Sequence, residues 1–210
     1  MLRYIHARDL HAYPRLSASM FRDRADQFAT RLGWDVTVDA DGLERDGYDD
    51  MDPLYVIAEG PEGLHRGSMR FLPTTGDTMI RDHFSDIAEA DICSPAIWEC
   101  TRFCLARGAS PTTAAALMLA GGELMRAFSL THFVGVFDAR MIRIYARTGA
   151  SPEVLGVQGT GRDAISVGLW SFGDEARARL IERSGIPSDL SERWFAEAFG
   201  HAVEEGRAAA

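Results

Sequence analysis

Residues 98–149 decide the fold class; they read WECTRFCLARGASPTTAAALMLAGGELMRAFSLTHFVGVFDARMIRIYARTG. The aromatic and apolar opening, 98–106, is typical of a strand, and the alanine-rich run at 111–130 has the composition and spacing of a helix. Residues 131–137 return to strand composition, and 138–149 again indicate a helix. Because helices alternate with strands here, the stretch predicts a sheet that is covered by helices.

Capping residues mark the ends of both predicted helices. Ser110 is a suitable N-cap for the first helix, and Pro111 fits its first turn because proline lacks the N–H that a first turn leaves unpaired. Asp138 is the expected N-cap of the second helix, and Gly149 is its expected C-terminal stop.

The remaining chain adds helices and strands on both sides of this stretch. Residues 15–32 predict a helix ended by Gly33, and the acidic segment 35–52 is too polar to belong to the core. The other predicted elements are a hairpin at 54–59 and 65–72, a short helical piece at 78–87, strands at 153–159 and 164–172, and helices at 174–184 and 188–205. We therefore predict one α/β domain over 1–210 with a mixed central sheet, in which 189–210 would form a C-terminal helical extension.

Composition excludes several classes of function. The 22 cationic residues are all arginine against 31 Asp and Glu, so the net charge is −9 and argues against nucleic-acid binding. Without lysine, the chain can form neither a Schiff base nor a P-loop. No apolar run approaches the ~18–20 residues of a membrane span, and no secretory signal is visible, so we expect a cytoplasmic protein. Three cysteines at these spacings predict neither a disulfide framework nor a metal site.

The first half of the chain combines charged and aromatic side chains in one constellation. Its members are Arg24, Phe28, Trp34, Asp46, Asp49, Arg70, Glu99 and Arg102. Alternation along the strand places Arg102 on the same face as Trp98 and opposite Glu99. A strand that carries both Glu and Arg has to satisfy these charges within the fold. The constellation predicts either an ion-pair network in a partly buried cleft or surface pairs that individually contribute little.

Four motifs hold these residues in a fixed order. They are R-x-x-x-F-x-x-x-x-G-W (24–34), E-x-D-G-Y-D (44–49), M-R-F-L-P-T-T-G (69–76) and W-E-C-T-R-F (98–103). Their order and spacing closely resemble the LuxI-type acyl-homoserine-lactone synthases, the autoinducer synthases of bacterial quorum sensing. The resemblance covers residues from about 20 to about 150. Each motif alone is a weak signal, but four in register are specific.

The resemblance implies a fold, a reaction and a set of partners. Enzymes of this family have a three-layer α/β/α fold similar to the GNAT acetyltransferases. They join an acyl chain, carried as a thioester on acyl carrier protein or CoA, to the α-amine of S-adenosylmethionine. The carboxylate of that substrate then closes onto Cγ, which gives the lactone and methylthioadenosine. S-adenosylmethionine is a substrate there, so no cofactor is expected.

Two alternatives to this function stay open. One is a GNAT-like acyltransferase that acts on another amine. The other is a non-catalytic sensor that binds S-adenosylmethionine or a carrier protein.

The resemblance also assigns roles to residues of this chain. Glu99 is the first candidate for the base that deprotonates the amine, and Asp46 is the second. Arg70 and Arg102 complete the catalytic set, since they would hold these acids in place or bind the substrate carboxylate. The residues that would bind S-adenosylmethionine are Arg24, Phe28, Trp34, Asp46, Asp49 and Phe84. Of these, Phe28 and Trp34 would stack on the substrate or pack in the core.

The acyl donor would bind a different surface. Arg140, Arg143 and Arg147 are spaced to form one basic stripe on the second helix. In the family this region meets the acidic carrier protein, and with acyl-CoA the same arginines would meet phosphates; otherwise the stripe is a solvated helix face. The acyl chain would lie in an apolar tunnel beside the alanine-rich helix. Its candidate walls are Leu117, Met118, Leu124, Met125 and Phe128, most of which would pack in the core.

Overall fold

A seven-stranded sheet forms the centre of the protein, in a computed structural model that describes residues 1–88 and 91–208. The strands are β1 (Leu2–His6), β2 (Leu54–Glu59), β3 (His65–Pro73), β4 (Ile97–Leu105), β5 (His132–Asp138), β6 (Glu153–Gln158) and β7 (Ile165–Trp170). Their order is β1-β2-β3-β4-β5-β7-β6, and neighbours are antiparallel except β4 and β5, which run parallel. The predicted mixed sheet is confirmed, whereas β1 was not predicted.

Helices cover both faces of this sheet. They are α1 (Pro14–Ala25), α2 (Met79–His83), α3 (Ser85–Ala88), α4 (Thr112–Ala127), α5 (Met141–Thr148), α6 (Asp174–Ser184) and α7 (Ser188–Ala208). Ile57 of β2 belongs to the apolar cluster under α1, and Val134 of β5 belongs to the cluster under α2 and α3. Val56 of β2 belongs to the cluster under α4 on the other side. We call these sides the α1 face and the α4 face. The helices on the α1 face, the sheet, and the helices on the α4 face form the three layers that the resemblance implies.

Two predicted helices are confirmed, with small differences at their ends. The first continues beyond α1 as a π-helical turn over 26–31, and Gly33 follows with a φ of +67°, which glycine adopts without steric cost. The alanine-rich helix, α4, begins at Thr112, one residue after Pro111. Pro111 and not Ser110 therefore takes the N-cap position, although the Ser110 Oγ accepts the Thr112 N–H at 3.3 Å.

The start of α5 lies three residues later than predicted. Asp138 ends β5 instead of starting the helix, and its Oδ1 accepts the Arg140 N–H at 2.9 Å in the intervening turn. The helix itself begins at Met141. Gly149 ends it as predicted, with a φ of +75°.

The parallel pair β4 and β5 opens into a cleft. Their pairing covers only Ile97–Glu99 against His132–Val134. Beyond that point β4 stays paired with β3 as far as Leu105, and β5 stays paired with β7 as far as Asp138. The two strands therefore diverge directly after Glu99, and we call the opening between them the β4–β5 cleft.

A bulge in β4 changes the side of the sheet on which Arg102 lies. The register between β3 and β4 shifts between Ser68 and Arg70, and Arg102 has a φ of +52°, which is strained for a residue other than glycine. The prediction that strict alternation places Arg102 opposite Glu99 is therefore wrong. The bulge turns its guanidinium toward the carboxylates that Arg24 and Arg70 also bind.

The predicted C-terminal extension is α7, apart from residues 209–210, which lie outside the described residues. It packs on the α4 face beside β1, where the rings of Tyr4 and Phe195 meet edge-on with centroids 5.2 Å apart. Across the described ranges, none of the helices has the length and apolar character that a membrane crossing needs.

Candidate active site

Six charged side chains form a closed ring on the α1 face. Arginines and carboxylates alternate around it, in the order Arg24, Asp49, Arg70, Asp46, Arg102, Glu44 and back to Arg24. Three positive and three negative charges cancel. We call this arrangement the ion-pair ring, and of the two predicted alternatives it is the network in a partly buried cleft.

The inner half of the ring is Arg24 with its two acids. The Nη1 and Nη2 atoms of Arg24 donate to the two oxygens of Asp49 at 2.9 Å each, and its Nε donates to Glu44 at 2.5 Å. Arg24 and Glu44 are fully buried. Because a buried charge that loses its partner is strongly unfavourable, these contacts fix the position of the inner half.

The outer half of the ring is open. Arg70 donates to Asp46 at 3.1 Å and to Asp49 at 2.8 Å. Arg102 Nη2 lies 2.6 Å from Asp46 Oδ2 and 3.0 Å from Glu44 Oε1. The side chains of Asp46 and Arg102 are 20% and 11% exposed, so a ligand can reach the ring along this edge.

Two acids of the segment 35–52 lie in the interior, so the prediction that this segment stays out of the core is wrong. Glu44 is 0% and Asp49 9% exposed. Arginines that are buried on α1 and β3 compensate their charges and offset the desolvation. Burial alone would raise the pKa of Asp49, but the hydrogen bonds and charges of Arg24 and Arg70 outweigh it and hold that pKa well below its usual range.

Glu99 is held by backbone N–H groups. Its Oε1 accepts the Ile80 N–H at 2.7 Å and its Oε2 accepts the Met79 N–H at 3.1 Å, both at the start of α2. The side chain is buried. Burial raises the pKa of Glu99 above its ordinary value, against the opposing effects of these two hydrogen bonds and of the Arg70 charge. A carboxylate with a raised pKa is suited to accept a proton near neutral pH.

The predicted substrate-binding aromatic residues lie in two different places. Phe28 and Trp34 stack on each other, with ring centroids 5.2 Å apart and planes 15° apart. Phe28 is buried and lies 5.4 Å from the Arg102 guanidinium, while Trp34 is 38% exposed. This pair therefore continues the open edge of the ring. Phe84 ends α2 and packs against the apolar cluster that contains Val134.

A cavity of about 490 Å³ lies on the α4 face. At the β4–β5 cleft it is lined by Thr101 and Arg102 on β4 and by Gly135 on β5. Cys100 also lines it, and burial raises the pKa of this thiol to about 12, so the thiol stays protonated and is not a nucleophile at neutral pH.

The predicted tunnel walls divide into three groups. Met118 and Met125 line the cavity. Leu117 and Leu124 are fully buried and belong with Met125 to the buried core, so three of the five pack in the core as expected. Phe128 is 42% exposed and packs its ring against that of Trp98.

The three arginines predicted to meet the acyl donor are not equivalent. Arg140 precedes α5 and its Nη2 pairs with Asp138 Oδ2 at 2.7 Å. Arg143 and Arg147 lie on α5 with exposed side chains. All three side chains are exposed, and Arg140 differs from the other two by its ion pair with Asp138.

Three residues of the site had no role predicted from sequence. Glu44 is the first residue of the second motif, and this position could have indicated that it belongs to the site. Thr101 Oγ1 accepts the Arg70 Nε–H at 3.0 Å, and alternation along the strand places Thr101 on the face of Glu99. Arg179 of α6 lines the cavity, which no local pattern indicates, because α6 reaches the cavity only through tertiary packing.

Comparisons with known proteins agree on one family. The autoinducer synthase family model matches residues 10–181. The chain belongs to this family. An acyl-homoserine-lactone synthase of Rhizobium etli is 39% identical over 199 residues, which cover 88% of this chain and 93% of that protein. Another, from Agrobacterium fabrum, is 36% identical over 154 residues, which cover 69% of this chain and 72% of that protein.

A solved structure supports the same fold for this autoinducer synthase family member. The CoA-dependent acyl-homoserine lactone synthase BjaI, solved with SAM and isopentyl-CoA, matches with a TM-score of 0.78 and 24% identity, covering 92% of this chain and 98% of that one. The predicted GNAT-like α/β fold is confirmed. Among the residues that the structure describes, no three His, Cys, Asp or Glu side chains are grouped so that they could hold a metal ion.

Proposed function

We propose that this chain is an acyl-homoserine-lactone synthase that uses S-adenosylmethionine and an acyl thioester of phosphopantetheine. In the first step the α-amine nitrogen bonds to the thioester carbon, and the carbon–sulfur bond breaks. The ammonium group gives up two protons, one to the leaving thiol and one to a base and then to solvent. In the second step the carboxylate attacks Cγ, and methylthioadenosine leaves as a neutral thioether.

The position of Glu99 between two unlike sites carries this proposal. The ion-pair ring lies on the α1 face, and the apolar cavity lies on the α4 face. Glu99 is the last residue of β4 that pairs with β5, where the cleft between the faces begins. Arg102 spans the two sites, since it belongs to the ring and also lines the cavity. An amine bound at the ring and a thioester whose acyl chain fills the cavity would meet at this point.

The contacts favour Glu99 over Asp46 as the base. Asp46 accepts hydrogen bonds from Arg70, Arg102 and the Tyr48 N–H, so its oxygens are occupied. Each oxygen of Glu99 accepts one backbone N–H and keeps a lone pair for a substrate proton. Burial also raises the pKa of Glu99, as a base that works near neutral pH requires.

The charges of the site suit S-adenosylmethionine, which carries an ammonium, a sulfonium and a carboxylate. The ring is neutral and Glu99 adds one negative charge, so the site favours a ligand with a net positive charge. The exposed Trp34 is available to contact the sulfonium or the adenine. Arg24 and Asp49 would hold the ring from inside, and Phe84 as a substrate contact stays a prediction.

The donor would approach beside α5 and α6. Arg179 lines the cavity, and Arg143 and Arg147 are exposed on the neighbouring helix α5. An acidic carrier protein and the phosphates of CoA are both anionic, so these arginines suit either source of the thioester. Arg140 would contribute less, because Asp138 neutralises it.

The test is turnover by the purified protein with S-adenosylmethionine, in one arm with a series of acyl-CoAs and in another with acyl carrier protein loaded with the same chains. We expect acyl-homoserine lactone and methylthioadenosine in equal amounts by mass spectrometry, and the active arm identifies the donor. Acylation of another amine without methylthioadenosine would contradict the proposal and support a GNAT-like acyltransferase. Binding of S-adenosylmethionine without product in either arm would contradict it in favour of a sensor.

A further inference from the structure

The side of α4 that faces the cavity carries two glycines in the middle of a helix. Met118, Gly121, Gly122 and Met125 all line the cavity, and their spacing places them on one stripe of the helix. Glycine destabilises a helix interior relative to alanine. Two consecutive glycines at the centre of this stripe therefore indicate that side chains are excluded there.

Phe172, in the connection between β7 and α6, explains the exclusion at Gly122. A Cβ built at Gly122 would overlap three atoms of the Phe172 ring, Cδ2, Cε2 and Cζ. A Cβ built at Gly121 would contact Phe133 at 3.3 Å, Met69 at 3.5 Å and Phe71 at 3.6 Å, so that only the Phe133 ring would have to shift, by a few tenths of an ångström. The two glycines therefore differ, because a methyl group at position 121 needs a small shift of one neighbour, whereas a methyl group at position 122 overlaps the Phe172 ring.

We propose that Gly122 and Phe172 together set the length of the acyl chain that the cavity accepts; this inference rests on the proposed synthase function. Both residues line the cavity, and the ring lies directly against the helix backbone at Gly122. A methyl group at position 122 would push the ring away from the helix and into the cavity, which would shorten it. Removal of the ring would add its space to the cavity, which would then accept longer chains.

The experiment measures kcat/KM for a series of straight-chain acyl thioesters, with the donor class that supports turnover. Gly122→Ala is expected to move the optimum to shorter chains. For each methylene of the acyl chain that no longer fits in the cavity, kcat/KM should fall about fourfold, which corresponds to about 0.8 kcal/mol per buried methylene. Phe172→Ala is expected to move the optimum to longer chains. Phe172→Leu should give a smaller shift in the same direction, and it provides a milder variant if Phe172→Ala does not fold.

Gly121→Ala is the matched control. It brings the same gain in helix propensity, but its methyl group contacts the rings of Phe133 and Phe71 at 3.3 and 3.6 Å without overlapping the Phe172 ring, so its optimum should stay close to the wild-type length. In the double variant G122A/F172A the methyl group has room, so the chain-length profile should follow that of Phe172→Ala. An unchanged optimum in both Gly122→Ala and Phe172→Ala, with melting curves that show folded proteins, would overturn the inference.

A binding measurement separates this inference from the synthase function. Calorimetry with the same acyl-CoA series gives the dependence of affinity on chain length without any turnover. If the wild-type protein makes no lactone but Gly122→Ala still shifts the preferred length in binding, the proposed function fails and the cavity assignment stands. If lactone forms and neither substitution shifts the preferred length, the function stands and the cavity assignment fails.

Discussion

The carboxylates of Glu99 and Asp46 belong to the same site but make opposite kinds of contact. Glu99 accepts two backbone N–H groups inside the fold, whereas Asp46 lies between the guanidinium groups of Arg70 and Arg102. A carboxylate that is held by arginines is part of the framework, while burial raises the pKa of Glu99 more than its two hydrogen bonds and the Arg70 charge lower it, so that Glu99 can take up a proton. Their substitutions should therefore have different kinetic signatures.

Replacement of Glu99 by glutamine is expected to lower kcat by about 10²–10⁴-fold, the usual contribution of a general base. In the wild type, kcat/KM should rise with pH through the raised pKa of Glu99, because only the ionised form accepts a proton. This limb of the profile should disappear in Glu99→Gln. Asp46→Asn should keep the limb and raise the KM for S-adenosylmethionine. Measured pH–rate profiles of the three proteins decide the assignment, and a persistent limb in Glu99→Gln would remove Glu99 from this role.

Five of the six residues of the ion-pair ring were predicted from the sequence, but Glu44 and the connections between the six were not. Motifs identify Arg24, Asp49 and Arg102 because they occur at fixed spacings. The polarity of Glu44 predicts an exposed side chain, yet Glu44 is buried. Its charge is compensated by arginines from distant parts of the chain, which local sequence does not reveal. The orientation of Arg102 depends on a bulge, which a period of two along a strand does not reveal.

At the level of elements, α5 presents its arginines unequally. All three side chains are exposed, but Arg140 precedes the helix and is paired with Asp138, whereas Arg143 and Arg147 lie on the helix itself. An anionic donor should therefore depend on the last two. The helix boundary matters here, because a start at residue 138 would have placed all three arginines on one helical stripe.

Reversal of Arg143 and Arg147 to glutamate is expected to lower kcat/KM for the acyl donor by at least about tenfold, because like charges at an interface cost several kcal/mol. The KM for S-adenosylmethionine should stay unchanged. The difference from the wild type should shrink as the salt concentration rises, since exposed charges are screened. Steady-state kinetics at two ionic strengths measure both effects.

The control for this charge reversal is Arg15→Glu on α1, which changes an exposed arginine on the other face of the sheet. Arg140→Glu should have a smaller effect than either α5 substitution. If R143E/R147E were as active as Arg15→Glu, the α5 arginines would be a solvated helix face.

Whole helices were easier to predict than strand β1 or the start of α5. The helix α4 has a long periodic pattern, and Ser110 and Pro111 precede it, so its limits follow closely from local chemistry. Strand β1 occupies residues 2–6 with mixed polarity, and it becomes a strand only because β2 pairs with it. The helix α5 starts later than predicted because the Asp138 side chain accepts a hydrogen bond within the preceding turn and does not cap the helix.

At the scale of the whole molecule, one parallel pair of strands organises the function. The crossover through α4 makes β4 and β5 parallel in a sheet whose other neighbours are antiparallel, and their divergence opens the cleft between the two faces. The alternation of strand and helix predicted the mixed sheet. The order of the strands and the place where β4 and β5 separate depend on long-range pairing, so the cleft could not be read from the sequence.

A buried acid connects the C-terminal helix α7 to the helices α4 and α6. Glu123 of α4 is 5% exposed, pairs with Arg177 of α6 at 2.8 Å and accepts the Ser191 hydroxyl of α7 at 3.2 Å. Three helices therefore meet at one carboxylate. Glu192 of α7 contacts the same arginine at 3.0 Å, but its side chain is 59% exposed.

These two acids allow a matched comparison of how α7 is held. Glu123→Ala is expected to destabilise the protein by about 1–3 kcal/mol, because it removes the inner partner of Arg177, which keeps Glu192, and leaves the buried Ser191 hydroxyl without its acceptor. Glu192→Ala removes an exposed partner of the same arginine and should cost less than about 1 kcal/mol. Denaturant unfolding measures both costs, and limited proteolysis should cleave α7 sooner in Glu123→Ala than in Glu192→Ala. Equal stability and equal cleavage would show instead that the aromatic contacts with β1, such as Phe195 on Tyr4, hold α7 in place without the buried acid.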